Sequence, residues 1–222
     1  LYRGLQVDRC LDIGRVEDVH FWPFWDVGPS AATELTKREG IAFIFRRTDW
    51  EYVSGCFCIS YNQGMLFDTG GDTSGPCAGP GNVLLTMSGS DCCLTAVNVA
   101  ESQQHAGISF TNCQLYGDVV VGPKNSGMVR FTGCGLFGSL DGARGTALAK
   151  LTGRGRVSFE NCSFFCIDPG NKGEYLIEAQ SGRVSVQNSQ FLNAPYTAVS
   201  PEAIRLGEQV ARLHLAALGG RL

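Results

Sequence analysis

Phe110-Thr111-Asn112-Cys113-Gln114-Leu115 is a phrase that the chain repeats as Phe131-Thr132-Gly133-Cys134-Gly135-Leu136, Phe159-Glu160-Asn161-Cys162-Ser163-Phe164 and Val186-Gln187-Asn188-Ser189-Gln190-Phe191. The positions equivalent to Cys113 are 134, 162 and 189, so the phrase returns after 21, 28 and 27 residues. Self-similarity at that period predicts a stacked architecture in which each unit buries its apolar face against its neighbours. Looser copies extend the series upstream at Val16 to Phe21 and Val53 to Cys58, and downstream at Val210 to Leu215. The solenoid is therefore expected to fill the chain.

Within a unit the apolar residues lie two apart, as in Ile108 and Phe110 and then, after a one-residue shift at Asn112, Cys113 and Leu115. That is strand periodicity with a kink at the Asn or Gly. Small-residue turns precede the strands at Ala106-Gly107, Ser126-Gly127, Gly153 to Gly155 and Ser181-Gly182. Shorter apolar stretches precede those turns. Two or three short strands per coil without an intervening amphipathic helix predict a single all-β domain, a parallel β-helix over residues 1–222. Its coils should be longer and loop-rich over 1–80 and regular over 81–222. Residues 201–218 are expected to add a final strand coil that continues the repeat, with Leu213 at the position of Ser189. The chain opens at Leu1 in what reads as a coil, which points to a piece of a longer protein.

Six of the ten cysteines (Cys56, Cys58, Cys113, Cys134, Cys162 and Cys166) fall in strand-like stretches where a small apolar side chain packs well. Stacked positions in successive coils lie about 4.8 Å apart, so free buried thiols in an internal ladder are expected. The Asn of Asn161-Cys162-Ser163, formally a glycosylation sequon, should turn inward with them. Neither Cys56-Phe57-Cys58 nor Cys92-Cys93 has zinc-site spacing, and His20, His105 and His214 are scattered. No metal and no cofactor is expected. Phe67-Asp68-Thr69-Gly70 lacks the remainder of an aspartic protease loop, and Asp68 with Asp72 reads as a turn before it reads as a calcium loop. Gly153-Arg154-Gly155-Arg156 reads as a corner with two exposed charges.

The chain has 222 residues, 44% of them hydrophobic and 18% charged, with a formal charge of −3. That composition suits a long core and argues against nucleic acid as partner. No apolar run approaches the roughly 20 residues needed to cross a bilayer as a helix. Chemistry on such a solenoid belongs on an outer face, where outward side chains of adjacent coils gather. The first third supplies the candidates. Residues 15–26 carry His20, Trp22 and Trp25, and residues 46–52 carry Arg47, Asp49, Trp50, Glu51 and Tyr52. In an extended 47–52 segment, Arg47, Asp49 and Glu51 share one face, with the two carboxylate Cα atoms about 6.6–6.8 Å apart. Such a pair can serve as acid and base in glycoside hydrolysis, and an Arg beside it equally suits elimination from a uronic acid. The bland alternatives are a solvated salt-bridge row with Trp50 in the core, and an aromatic loop folded over the first coils.

The V-x-F-x-N-C-x-F phrase, the glycine corners and the segments 8–26 and 46–53 resemble right-handed β-helix proteins of the pectate-lyase and polygalacturonase-like superfamily. They are most similar to uncharacterised bacterial members. The resemblance implies an extracellular or cell-surface protein acting on polysaccharide, with acids contributed by neighbouring coils. The polygalacturonase pattern is nonetheless missing, as are the calcium-binding acids of pectate lyases; Arg47-Thr48-Asp49 is the nearest approach. The expected function is accordingly glycosidase or polysaccharide lyase. Asp49, Glu51 and His20 would be catalytic, and Arg47, Trp22, Trp25, Trp50 and Tyr52 would bind substrate. The competing class is a non-catalytic glycan-binding, adhesive or tailspike-like β-helix that could trimerise through its flat faces.

Overall fold

The computed structural model describes residues 2–23, 30–70, 78–138, 147–166, 175–192, 204–216 and 219–221. The first coil consists of β1 (Arg3–Val7), β2 (Cys10–Glu17) and β3 (His20–Phe21). A helix, α1 (Ala31–Glu39), precedes the second coil, β4 (Ile41–Phe45), β5 (Thr48–Ser54) and β6 (Phe57–Ile59). The third coil is β7 (Gln63–Phe67), β8 (Val83–Thr86) and β9 (Gly89–Asp91), and the fourth is β10 (Thr95–Val99), β11 (Gly107–Thr111) and β12 (Gln114–Tyr116). Next come β13 (Asp118–Val121), β14 (Met128–Thr132) and β15 (Gly135–Phe137), then β16 (Ala147–Leu151), β17 (Arg156–Glu160) and β18 (Ser163–Phe165). The last two coils are β19 (Tyr175–Gln187) with β20 (Gln190–Leu192), and β21 (Ile204–Ala216) with β22 (Gly219–Arg221).

Every strand pairs in parallel with its counterpart one coil away, which makes the fold a parallel β-helix with three faces. The face that starts at β1 is face A, the one that starts at β2 is face B, and the eight-stranded sheet β3 to β22 is face C. Faces A and B join at the far end because β19 and β21 run unbroken across their shared corner.

The repeated phrase is the corner between faces B and C. Asp18, Gly55, Met87, Asn112, Gly133, Asn161 and Asn188 hold φ between 47° and 64° there, the left-handed region that glycine and asparagine tolerate best. One residue in that conformation turns the chain. Its N–H then donates to the next coil, as Asn112 does to Thr132 O at 3.0 Å and Asn161 does to Gln187 O at 3.0 Å. The residue after the corner points inward, so Cys56, Ser88, Cys113, Cys134, Cys162 and Ser189 form an internal column. Cys and Ser are interchangeable in it because both donate to the carbonyl two residues back: Cys113 Sγ to Thr111 O at 3.5 Å, Ser189 Oγ to Gln187 O at 2.9 Å. All described cysteines are free thiols. Asn161, expected inside, instead lies exposed at the corner, because a left-handed corner residue projects its side chain outward.

The core is as layered as the backbone. Phe110, Phe131 and Phe159 are fully buried and stack face to face, with centroids 4.8 and 5.0 Å apart and planes within 9°. Stacking of this kind adds roughly 0.5–1.5 kcal/mol per pair beyond burial. The column of Val16 and Val53 on the N-terminal side continues through Leu85 into this stack.

Helix α1 lies outside the β-only expectation. Ser30 Oγ caps it by accepting from the Thr33 N–H at 3.2 Å, and the Gly40 N–H closes it on Thr36 O at 2.8 Å. Asn62 Nδ2 then ties its last carbonyls to the third coil. Residues 204–216 do form the expected final strand, but one face out of phase. Leu213 pairs with Val184 on face B, whereas Ser189 belongs to the following corner. With no corner Asn or Gly in 204–216 other than Gly207, apolar spacing alone left the phase open. Among the described residues no helix is long and apolar enough to cross a membrane.

Candidate functional site

The residues predicted to act together project into three different environments. Glu51 is 1% exposed and points inward on β5, in the column that continues through Val83, Ile108, Val129 and Val157. It packs under Gly14, where any side chain would collide with its carboxylate. Burial pushes its carboxyl above the ordinary value, an effect that the nearby Cys10 and Thr48 side chains offset in part, and its Oε2 has no hydrogen-bond partner. The same enclosure raises the Cys10 thiol.

Asp49 lies at the corner between faces A and B, with a half-exposed side chain. It accepts from Arg47 Nη1 and, at 3.4 Å, from Gln103 Nε2, and the Arg47 hydrogen bond holds its carboxyl below the usual range. Gln103 is itself buried and donates to the Thr48 and Gly79 carbonyls at 3.1 and 3.0 Å. The expected common face of Arg47, Asp49 and Glu51 is thus not formed. The chain turns a corner at 47–49, and strand alternation from Trp50 onward sends Glu51 inside with Val53. Asp49 and Arg47 form the salt-bridged pair of the bland alternative, whereas Trp50 stands exposed, not in the core.

Trp50 and Tyr52 face outward on face B, joined by a 2.9 Å hydrogen bond from Trp50 Nε1 to the Tyr52 hydroxyl. Arg15 lies over the Tyr52 ring at 5.4 Å. His20 is on face C instead, where it meets Phe57 edge-on at 6.2 Å, and Trp22 stands exposed just past β3. Trp25 lies outside the described residues, as do Asp26 and Asp72. Among the described residues no group of three or more His, Cys, Asp or Glu is placed to hold a metal ion.

Face C carries a groove of about 480 Å³, running across the coils. In each coil the side chain between the outward pair is inward (Leu115, Leu136, Phe164), so the flanking positions face solvent. One outward row is Tyr116, Phe137 and Phe165, in register on β12, β15 and β18. The Tyr116 and Phe137 rings are parallel within 9° at 6.1 Å, and Phe165 tilts by 58° at 5.5 Å from Phe137. The other row starts at His20 and Phe57 and then reads Gly89, Gln114, Gly135 and Ser163. Gly135 leaves room for the Gln114 amide, which a Cβ there would strike. Asp91 is the one carboxylate among the described residues lining the groove.

Among the described residues none of the predicted site residues lines this groove, although the sequence holds a signal for it. An aromatic residue recurs three positions after Cys113, Cys134 and Cys162. In strand alternation it must point away from the inward residue before it. No protein-family profile matches the chain, and no curated protein or solved structure matches it either.

Proposed function

We propose that this protein is a glycan-binding β-helix that holds a polysaccharide in the groove of face C. The observation that carries this reading is the in-register outward row Tyr116, Phe137 and Phe165 in one groove with Phe57, where Ser90, Asp91 and Gln114 supply polar groups. A mostly apolar concavity with a few oriented polar groups is the usual form of a ligand site. Sugar rings offer C–H faces to aromatic side chains and hydroxyls to a carboxylate and an amide. The resemblance of residues 8–26 and 46–53 to the pectate-lyase superfamily supports a carbohydrate partner, and with it an extracellular or cell-surface setting.

One observation favours a catalytic reading. Asp49 is kept ionised beside Arg47 at an accessible corner, as an attacking or proton-accepting carboxylate requires. Its intended partner Glu51 is enclosed in the coil, so the acid–base pair is not assembled. We therefore place binding first.

The test is affinity electrophoresis of the purified protein on a panel of immobilised polysaccharides, with Tyr116→Ala and Phe137→Ala beside the wild type. Retention that weakens about tenfold in either variant, with an unchanged circular dichroism spectrum, supports the groove. Retention on no polysaccharide, or equal retention of all three proteins, overturns it. Reducing-end and unsaturated-product assays on the same panel, with Asp49→Asn alongside, decide for catalysis if product forms and the variant abolishes it.

A further inference from the structure

A second patch lies on face B at the other end of the solenoid. Arg156 on β17, Arg183 on β19 and Arg212 on β21 are in register, one per coil, and all three are exposed. They line a depression of about 120 Å³ with His214. Among the described residues none of the three guanidiniums forms an ion pair or hydrogen bond; the carboxylates on these strands are Glu160 at the far end of β17, Glu178 between Lys150 and Arg205 on face A, and Glu208, four residues before Arg212. The neighbouring outward row adds Arg130, which donates to Ser109 Oγ at 3.1 Å, and leads to His214. The Gln187 amide lies 3.0 Å from His214 Nδ1, so a neutral ring carries its proton on Nε2, free to donate outward.

Like charges directly opposite on neighbouring strands destabilise a sheet. Parallel strands set these three about 4.8 Å apart, closer than salt screens at physiological strength. A column that repeats a cation on three consecutive coils is explained by an anion that repeats as well. The guanidinium fork matches carboxylate, sulfate and phosphate oxygens two at a time.

We infer that the Arg156–Arg183–Arg212 column is a second binding strip, for an acidic polysaccharide whose charged groups run along the solenoid axis. The ligand class rests on the glycan-binding reading, while the strip itself lies on a different face from the groove. A single-stranded nucleic acid would need a run of bases stacked on aromatic side chains, and no Phe, Tyr or Trp lines this depression.

The experiment titrates the full chain with alginate oligomers, dextran sulfate oligomers, neutral dextran and an oligothymidylate, at several salt concentrations. Alginate and dextran sulfate distinguish carboxylate from sulfate as the recognised group. Variants are Arg183→Ala, Arg183→Lys and, on the other face, Phe137→Ala. One of the two acidic polymers should bind with an affinity that falls with salt. Arg183→Ala should weaken it about tenfold and flatten the salt slope. Arg183→Lys should keep the slope and lose part of the affinity, because it keeps the charge without the fork. Equal affinity of wild type and Arg183→Ala overturns the strip, as does tighter binding of the oligothymidylate than of either acidic polymer. Binding lost in Phe137→Ala but not in Arg183→Ala sinks the strip and leaves the groove standing. The converse pattern sinks the groove and leaves the strip.

Discussion

Met87→Gly should make the protein more stable, which is unusual for a substitution inside a repeat. Met87 occupies the left-handed corner between faces B and C at φ 47°, where the other coils carry Gly, Asn or Asp. Its side chain is 69% exposed, so little packing is lost with it. Its N–H donates to Thr111 O at 3.2 Å, a bond any residue but proline retains. A residue with a Cβ pays roughly 1–2 kcal/mol for the left-handed conformation. Glycine escapes that cost but gives the unfolded chain extra freedom worth roughly 0.5–1 kcal/mol. The balance is a gain of about 0.5–1 kcal/mol, or a rise of about 1–4 °C in midpoint for a chain of this size. Met87→Ala is the control, since it removes the same exposed side chain and keeps the backbone cost. Urea unfolding followed by circular dichroism, with the slope checked for constancy, reads both. Met87→Gly no more stable than Met87→Ala would refute the assignment of this corner, and with it the reading of the repeated phrase as one backbone device.

Glu51→Gln should change how stability depends on pH. Burial raises the Glu51 carboxyl above its ordinary 4.5, so the folded protein holds this proton more tightly than the unfolded chain. Its contribution is therefore full below 4.5 and is lost as pH climbs through the raised value; denaturation across that window should show the decline in wild type and its absence in the glutamine variant. Phe131→Ala removes the middle ring of the Phe110–Phe131–Phe159 stack and should cost about 3–5 kcal/mol; a loss under 1 kcal/mol in urea would mean the stack is not packed as described. Thiol titration of the native protein should modify the half-buried Cys10 and Cys92 ahead of Cys56, Cys58, Cys93, Cys113, Cys134, Cys162 and Cys166, which should react only on unfolding. Hydrogen bonding to the Cys134 sulfur and burial push Cys113 and Cys162 well above the usual thiol range, so rapid labelling of either would contradict the internal column.

The fold was legible where a rare backbone conformation coincided with a buried side chain. Asn or Gly followed by Cys marks the corner in four coils, and that pairing of requirements is hard to meet by chance. The third coil escaped notice because Met87 and Ser88 meet the same two needs with residues that carry no signal. The site was misread for a related reason. Polarity predicts an outward carboxylate, yet alignment of Val53 with Phe110 places Glu51 level with Ile108, an inward position. Polarity is a statement about what a side chain prefers. Register states where the backbone sends it, and in a solenoid register wins.

That ordering also says where side chains of one kind gather on this molecule. Residues 47–51 are neighbours in sequence, but a corner and one alternation scatter Arg47, Asp49 and Glu51 between rim and core. Tyr116, Phe137 and Phe165 are far apart in sequence, and parallel pairing brings them into one row. The same pairing gathers Arg156, Arg183 and Arg212. Each coil adds one side chain to a column and sets it about 4.8 Å from the last. An outward column that repeats a chemical type therefore builds a linear surface, suited to a ligand that is itself a repeating chain. A buried column broken by one odd residue, as Glu51 breaks its row of aliphatics, concerns stability and its pH dependence instead. The two situations call for different measurements: chain-length dependence of binding for the first, proton linkage of unfolding for the second. If affinity in the face C groove did not rise as the oligosaccharide lengthened to span the three rings, the row would be packing without a ligand.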